Sequence, residues 1–246
     1  MNRRFIFSLI CILLLSACST TQPTETVATL PMATEAPTEI PFAKIAEGKV
    51  IFSKPDGRKF AGTVYGIGET AIILESMVVH GGVTQWDKFV KAVDKEKFTT
   101  IAYSHLGTDD KSVAEETQIV FETLKANGYE KIICIGAGEG VKPCGSMDDM
   151  PEIIGMVYIA GGNSHHDTSS VPLTMTQING KYPKFFIAGE SDPSAVITDE
   201  LYRHASEPKS LMLVNEEALH GTNMFSSTNH GEEFLQYLLD FINELP

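Results

Sequence analysis

Three separated segments carry residue types suited to joint acid–base and nucleophilic chemistry. They are the corner Gly136-Ala137-Gly138-Glu139-Gly140, the turn Gly189-Glu190-Ser191-Asp192-Pro193, and the stretch Ala218-Leu219-His220-Gly221-Thr222. A carboxylate such as Asp192 can hold an imidazole in one tautomer, and an imidazole such as His220 can then accept a proton from a nucleophile. The corner itself is unusual. A β-branched run, Lys131-Ile132-Ile133-Cys134-Ile135, ends in Gly-x-x-x-Gly, the backbone pattern that lifts a serine hydroxyl onto a sharp strand-to-helix turn. Its central residue is Gly138, which has no side chain, so no covalent acyl intermediate can form there. Glycine adopts with little penalty the backbone angles that cost a residue with a side chain of order 1–3 kcal/mol. A glycine at this point therefore removes chemistry and relieves strain together.

Neighbouring residues do not replace the missing hydroxyl. Cys134 lies on the strand below the corner and reads as a buried apolar filler. Cys144 and Ser146 fall roughly 9–12 Å along the following helix, at about 1.5 Å per residue, beyond reach of His220. Glu139 reads as an acid at a helix N-terminus, where the dipole favours it, with a role as replacement acid or base as the lesser alternative. A water held by His220 is another route, because general-base activation needs no covalent step. A strand and the helix packed on it lie about 10 Å apart, so no bridge is expected between Cys134 and Cys144.

Other chemistries find little support. No Cys/His spacing suggests zinc, and His165-His166 lack the carboxylate cluster that would make them a metal site. A dinucleotide fingerprint beginning Gly136-x-Gly138 would want a third glycine where Val141 stands, and an earlier strand. No cofactor and no metal are expected.

The elements that must position these residues alternate along the chain. Val50-Ile51-Phe52 and residues 60–65 flank Pro55-Asp56-Gly57, a hairpin signature. Residues 71–74, 98–103, 131–135, 153–159, 185–188 and 210–214 are apolar runs suited to buried parallel strands. Helical spacing marks residues 85–94, 113–127 (closed by Gly128), about 139–148, about 194–206, and 231–244 with its apolar face. An opening hairpin followed by β-α alternation predicts an α/β fold with a mostly parallel sheet covered on both faces.

This order, with the corner at 136–140, the Gly-x-x-Asp-Pro turn and the late histidine, resembles the α/β-hydrolase superfamily, in particular small bacterial esterase-like lipoproteins. The resemblance covers about residues 48–244. It implies an α/β-hydrolase fold, with Asp192 and His220 as a retained acid–base pair and Gly138 as a vacant nucleophile position. It also implies an oxyanion hole from the Glu139 amide and from a residue after the third strand. Two alignments of that loop compete, one through His80-Gly81 and one through Ser76-Met77, and the second, with Met77 as donor, suits the strand end better. Where many relatives carry Asp-x-Arg-Gly, this chain has Ser104-His105-Leu106-Gly107, so the structural ion contact of that motif is expected to be absent.

The N-terminus reads as an address and an anchor. Arg3 and Arg4 precede the apolar run 5–15 and then Leu15-Ser16-Ala17-Cys18, which resembles a bacterial lipobox in which the cysteine is acylated. Residues 1–17 are thus expected to be a signal peptide. Residues 18–42 would be the lipidated Cys18 with a Thr/Pro-rich tether lacking apolar periodicity, and residues 43–246 an α/β-hydrolase-like domain. That places the chain in a bacterial cell envelope, facing outside the cytoplasm, with membrane lipid as a partner through Cys18. A net charge of −13 argues against nucleic acid and against electrostatic docking to anionic lipid. The expected function is that of a tethered hydrolase-fold protein with lost or impaired serine chemistry, binding a small ester or acyl ligand. The alternative is an active ester hydrolase using water activated by His220 and Asp192, or another nucleophile.

Overall fold

The computed structural model describes residues 44–76, 82–107, 109–161 and 178–246, all within the unit Glu39–Pro246. The signal, Cys18, the tether, Met77, His80 and the His165-His166 pair lie outside the described residues. Eight strands appear in chain order as β1 (Gly48–Ser53), β2 (Lys59–Tyr65), β3 (Thr70–Ser76), β4 (Phe98–Tyr103), β5 (Lys131–Ala137), β6 (Ile153–Ile159), β7 (Lys184–Gly189) and β8 (Lys209–Val214). They form one sheet in the order β1-β2-β4-β3-β5-β6-β7-β8. β2 runs antiparallel to both β1 and β4, and every other pairing is parallel.

The helices are α1 (Asp87–Ala92), α2 (Asp110–Ala126), α3 (Val141–Gly145), α4 (Ala195–His204) and α5 (Gly231–Glu244). Alternate residues of a strand face opposite sides of a sheet, and β5 shows this directly. Ile132 and Cys134 join a core with Phe121 and Leu124 of α2 and Leu201 of α4. Ile133 and Ile135 join a second core with Phe89 of α1 and Phe234 and Leu238 of α5. Helices thus cover both faces, which is why the central strands are apolar throughout.

Helix boundaries depart from the apolar periodicity where polar or helix-breaking residues intervene. α2 starts three residues before the first periodic apolar residue, because Asp109 caps it by accepting a hydrogen bond from the Ser112 amide at 3.0 Å. The segment expected as a helix over 85–94 is a 3₁₀ turn, Gly82–Trp86, followed by the short α1. The helix expected over 139–148 is a 3₁₀ turn, Gly138–Gly140, and then only α3. Pro143 and Gly145 are poor helix formers and account for its brevity.

The expectation about the cysteines is overturned. Cys134 on β5 and Cys144 on α3 form a disulfide with their Cα atoms 5.7 Å apart, and both are fully buried. The argument from ordinary strand–helix spacing fails because this helix sits unusually close. A Cβ at Gly136 would lie 2.5 Å from the Gly140 carbonyl, and one at Gly140 would lie 2.3 Å from the carbonyl of Glu75. Two glycines bring the first turn of α3 onto β5 and β3, within bridging range. Replacing both cysteines by serine is expected to cost about 2–4 kcal/mol, read as a lower denaturation midpoint, with a smaller loss if the reduced chain retains residual structure.

A further finding concerns the turn after β4. Its charged pair is indeed missing, yet a buried ion network stands in its place, built on His105. The imidazole Nε2 meets Glu75 at 2.8 Å and Nδ1 meets Glu116 at 3.2 Å. Lys54 reaches Glu116 at 3.0 Å and Glu115 at 2.9 Å. Thr117 donates to Glu75 at 2.7 Å, Tyr103 donates to the same carboxylate, and the Leu106 amide donates to Glu116 at 2.9 Å. A carboxylate on each ring nitrogen favours the protonated imidazole, the form that donates from both. Burial lowers its pKa, but hydrogen bonds and charge from Glu75 and Glu116 outweigh that and raise it overall.

Candidate active site

The site forms at the carboxyl ends of β5, β7 and β8, where a parallel sheet leaves room for ligands. Gly138 follows β5 directly and has φ +58°, the left-handed region that disfavours side chains. The Asp192 turn follows β7. The Asp192 amide donates to the Gly189 carbonyl at 3.1 Å, and its own carboxylate accepts from the Ser194 amide at 2.9 Å. His220 lies in the loop after β8, at the start of a 3₁₀ turn, Gly221–Ser226.

The three positions converge. His220 Nδ1 lies 2.9 Å from Asp192 Oδ2, and a Cβ built on Gly138 would lie 3.0 Å from His220 Nε2. The Asp192 side chain is 2% exposed and that of His220 40%. Burial raises the Asp192 pKa, but the hydrogen bonds from His220 and Ser194 more than offset it and hold the carboxyl below its ordinary value. The Asp192 carboxylate on Nδ1 orients the ring so that Nε2 faces position 138. The arrangement can take up a proton next to position 138, and it offers no covalent nucleophile there.

Glu139 is half-buried and follows Gly138 in the 3₁₀ turn. Met77, the other expected oxyanion donor, lies outside the described residues. Neither Cys134 nor Cys144 supplies a thiol, since they are bonded to each other. Among the described residues, no group of three or more His, Cys, Asp or Glu is arranged to hold a metal ion.

Two contributors are not evident from sequence. Glu217 Oε1 accepts from the amides of Ala218 and Leu219, both at 2.8 Å, and the Glu217 carbonyl accepts from Ser191 at 2.8 Å. It therefore ties the histidine loop to the aspartate turn. Burial raises its pKa, and the Ser227 hydroxyl with the Leu219 and Ala218 amides reverses this to a net lowering. In sequence, Glu217 is one acid in a polar loop, and only the tertiary pairing distinguishes it. Glu217→Ala is expected to cost about 1–3 kcal/mol in a thermal melt, because two amides lose their acceptor. Gln85, on the turn before α1, accepts from Thr222 at 3.2 Å and so braces the far side of the same loop.

In sequence the chain matches no protein-family model and no curated protein. In structure it is similar to many solved proteins. The esterase domain of a Rhodothermus marinus protein superposes with a TM-score of 0.62 at 12% identity, covering 81% of this chain and 99% of the other. An esterase of Exiguobacterium antarcticum gives 0.62 at 9%, covering 79% and 99%. A lidless α/β serine hydrolase of Xanthomonas campestris gives 0.60 at 13%, covering 84% and 98%. Together with the strand order, these likenesses define the class: the chain has the α/β-hydrolase fold. Its eight-stranded, mostly parallel sheet with an antiparallel opening hairpin is that of the esterases it resembles.

Proposed function

We propose that this chain is an envelope lipoprotein on a hydrolase scaffold that has given up serine-hydrolase turnover and binds a small ester or acyl ligand beside Gly138. The observation that carries this reading is the glycine at position 138, with left-handed φ and His220 Nε2 3.0 Å from where a Cβ would stand. The site keeps the acid–base pair while lacking the atom that would form an acyl-enzyme. A fluorophosphonate probe labels activated serines, so the purified protein is expected to remain unlabelled. Strong labelling that disappears in His220→Ala would overturn the proposal.

A second reading has its own support. His220 is partly exposed and pairs with Asp192 through Nδ1 at 2.9 Å, which leaves Nε2 as the ring atom able to hydrogen-bond a water. A water there, deprotonated by His220, attacks an ester carbonyl directly, with its proton passing to the departing alkoxide. Measurable ester hydrolysis by wild type that is lost in both His220→Ala and Asp192→Asn would favour this alternative.

The anchor is part of the same proposal. A disulfide in the domain core fits a chain that matures in an oxidising compartment, and the Leu-Ser-Ala-Cys run supplies the lipid attachment point at Cys18. Metabolic labelling with a radioactive fatty acid is expected to mark the wild-type protein and leave Cys18→Ala unmarked.

A further inference from the structure

The outer face of the β1–β2 hairpin carries a feature separate from the Gly138 site. The register sets Lys49 opposite Thr63, Ile51 opposite Ala61 and Ser53 opposite Lys59. Directly opposed residues of an antiparallel pair point to the same side, so Lys49, Ile51, Lys59, Ala61 and Thr63 share one face. Phe52 and Phe60, one position along, point inward and are buried. Beside this face, Ser104, Leu106 and Val83 complete a groove of about 380 Å³, within the size range of small-ligand sites.

Its character is amphiphilic. Ile51 is 51% exposed and Leu106 45%, two of the few large apolar side chains that the described residues leave to water. Lys49 and Lys59 stand at opposite ends of the apolar strip, four residues apart along the ladder, or roughly 13 Å at about 3.3 Å per residue. Neither ammonium group has an ion-pair or hydrogen-bond partner among the described residues. The chain carries 32 acidic residues, yet none of those among the described residues lines this groove. The network behind it sets three carboxylates, Glu75, Glu115 and Glu116, against His105 and Lys54, so most of its negative charge is already paired there.

We infer that this groove binds an anionic amphiphile, with its alkyl body along Ala61, Val83 and Leu106 and its anionic head on Lys49 or Lys59. The inference does not depend on what happens at Gly138. A dissolved alkyl carboxylate and a lipid at a bilayer surface share this chemistry, and they are separated by the choice of probe. The measurements are isothermal titration of dodecanoate and co-sedimentation with vesicles of phosphatidylglycerol or phosphatidylcholine, using residues 19–246 without lipid.

Dodecanoate is expected to bind, to weaken as salt rises, and to lose roughly tenfold or more in affinity in Lys49→Glu/Lys59→Glu. Co-sedimentation with phosphatidylglycerol alone, abolished by the same double substitution, would support the groove with a bilayer as its source. Binding wholly unchanged by charge reversal of the two lysines, or binding to neither probe, would overturn the inference. Both lysines are exposed, and the milder Lys49→Gln/Lys59→Gln gives an intermediate effect if the head group is read by charge.

Discussion

Gly138→Ser is expected to raise turnover of short-chain p-nitrophenyl esters by at least about a hundredfold, a change worth about 2.7 kcal/mol in barrier height. In a complete triad, losing the serine costs on the order of 10⁶ in kcat, as measured for subtilisin, so partial recovery in an imperfect site is a modest demand. The acid–base pair is already assembled at 2.9 Å. The obstacle is space: a Cβ at position 138 would sit 3.0 Å from Nε2, so the imidazole must withdraw by a few tenths of an ångström. A 40% exposed side chain in a loop has room to do so. The φ of +58° also imposes strain on any side chain there, expected as a stability loss of about 1–3 kcal/mol. Gly138→Ala carries the same strain without the hydroxyl and should show no gain. Adding His220→Ala to the serine variant should erase it. A serine variant no more active than wild type would mean that the space beside Gly138 does not accept an ester carbonyl.

His105→Ala is expected to destabilise the domain by about 3–5 kcal/mol, because it leaves Glu75 and Glu116 buried without their shared cation. For a domain of this size that is a fall in Tm of roughly 10 °C. The pH dependence has a definite sign. The folded-state pKa of His105 is raised above its unfolded value. Its contribution is therefore complete below the ordinary imidazole pKa and is lost as pH climbs through the raised folded value. Asp192 acts in the opposite sense. Its lowered pKa gives a contribution present above the ordinary carboxylate range and lost as pH falls through the folded value. Wild type should thus lose stability on both the acid and alkaline sides. The alkaline loss between the two imidazole values should vanish in His105→Ala, as melts across a pH series would reveal; an unchanged alkaline limb would assign it to another group.

Much of the scaffold was legible because its signals are local. Strand runs such as residues 153–159 are apolar without interruption, and the hairpin turn at Pro55-Asp56-Gly57 declares itself within three residues. The chain order of corner, aspartate and histidine was also readable, since each follows an apolar run directly. What escaped is non-local. Glu75, His105 and Glu116 read as unrelated polar residues until the fold joins them to Lys54, 62 positions from Glu116. The Cys134–Cys144 bridge was missed because average strand–helix spacing does not apply where Gly136 and Gly140 allow the backbones to touch. Glu217 acts on its neighbours' amides, a role that any loop acid might have from sequence alone.

The staple across the corner also determines how the molecule has to be made. Its sulfurs are sealed in the interior, so the oxidation must be completed before or during folding. A host that keeps thiols reduced would deliver the dithiol form, softened at the one turn whose geometry matters most. Material produced by periplasmic export and material from a reducing cytoplasm should therefore be treated as different preparations, told apart by thiol titration before any activity is compared.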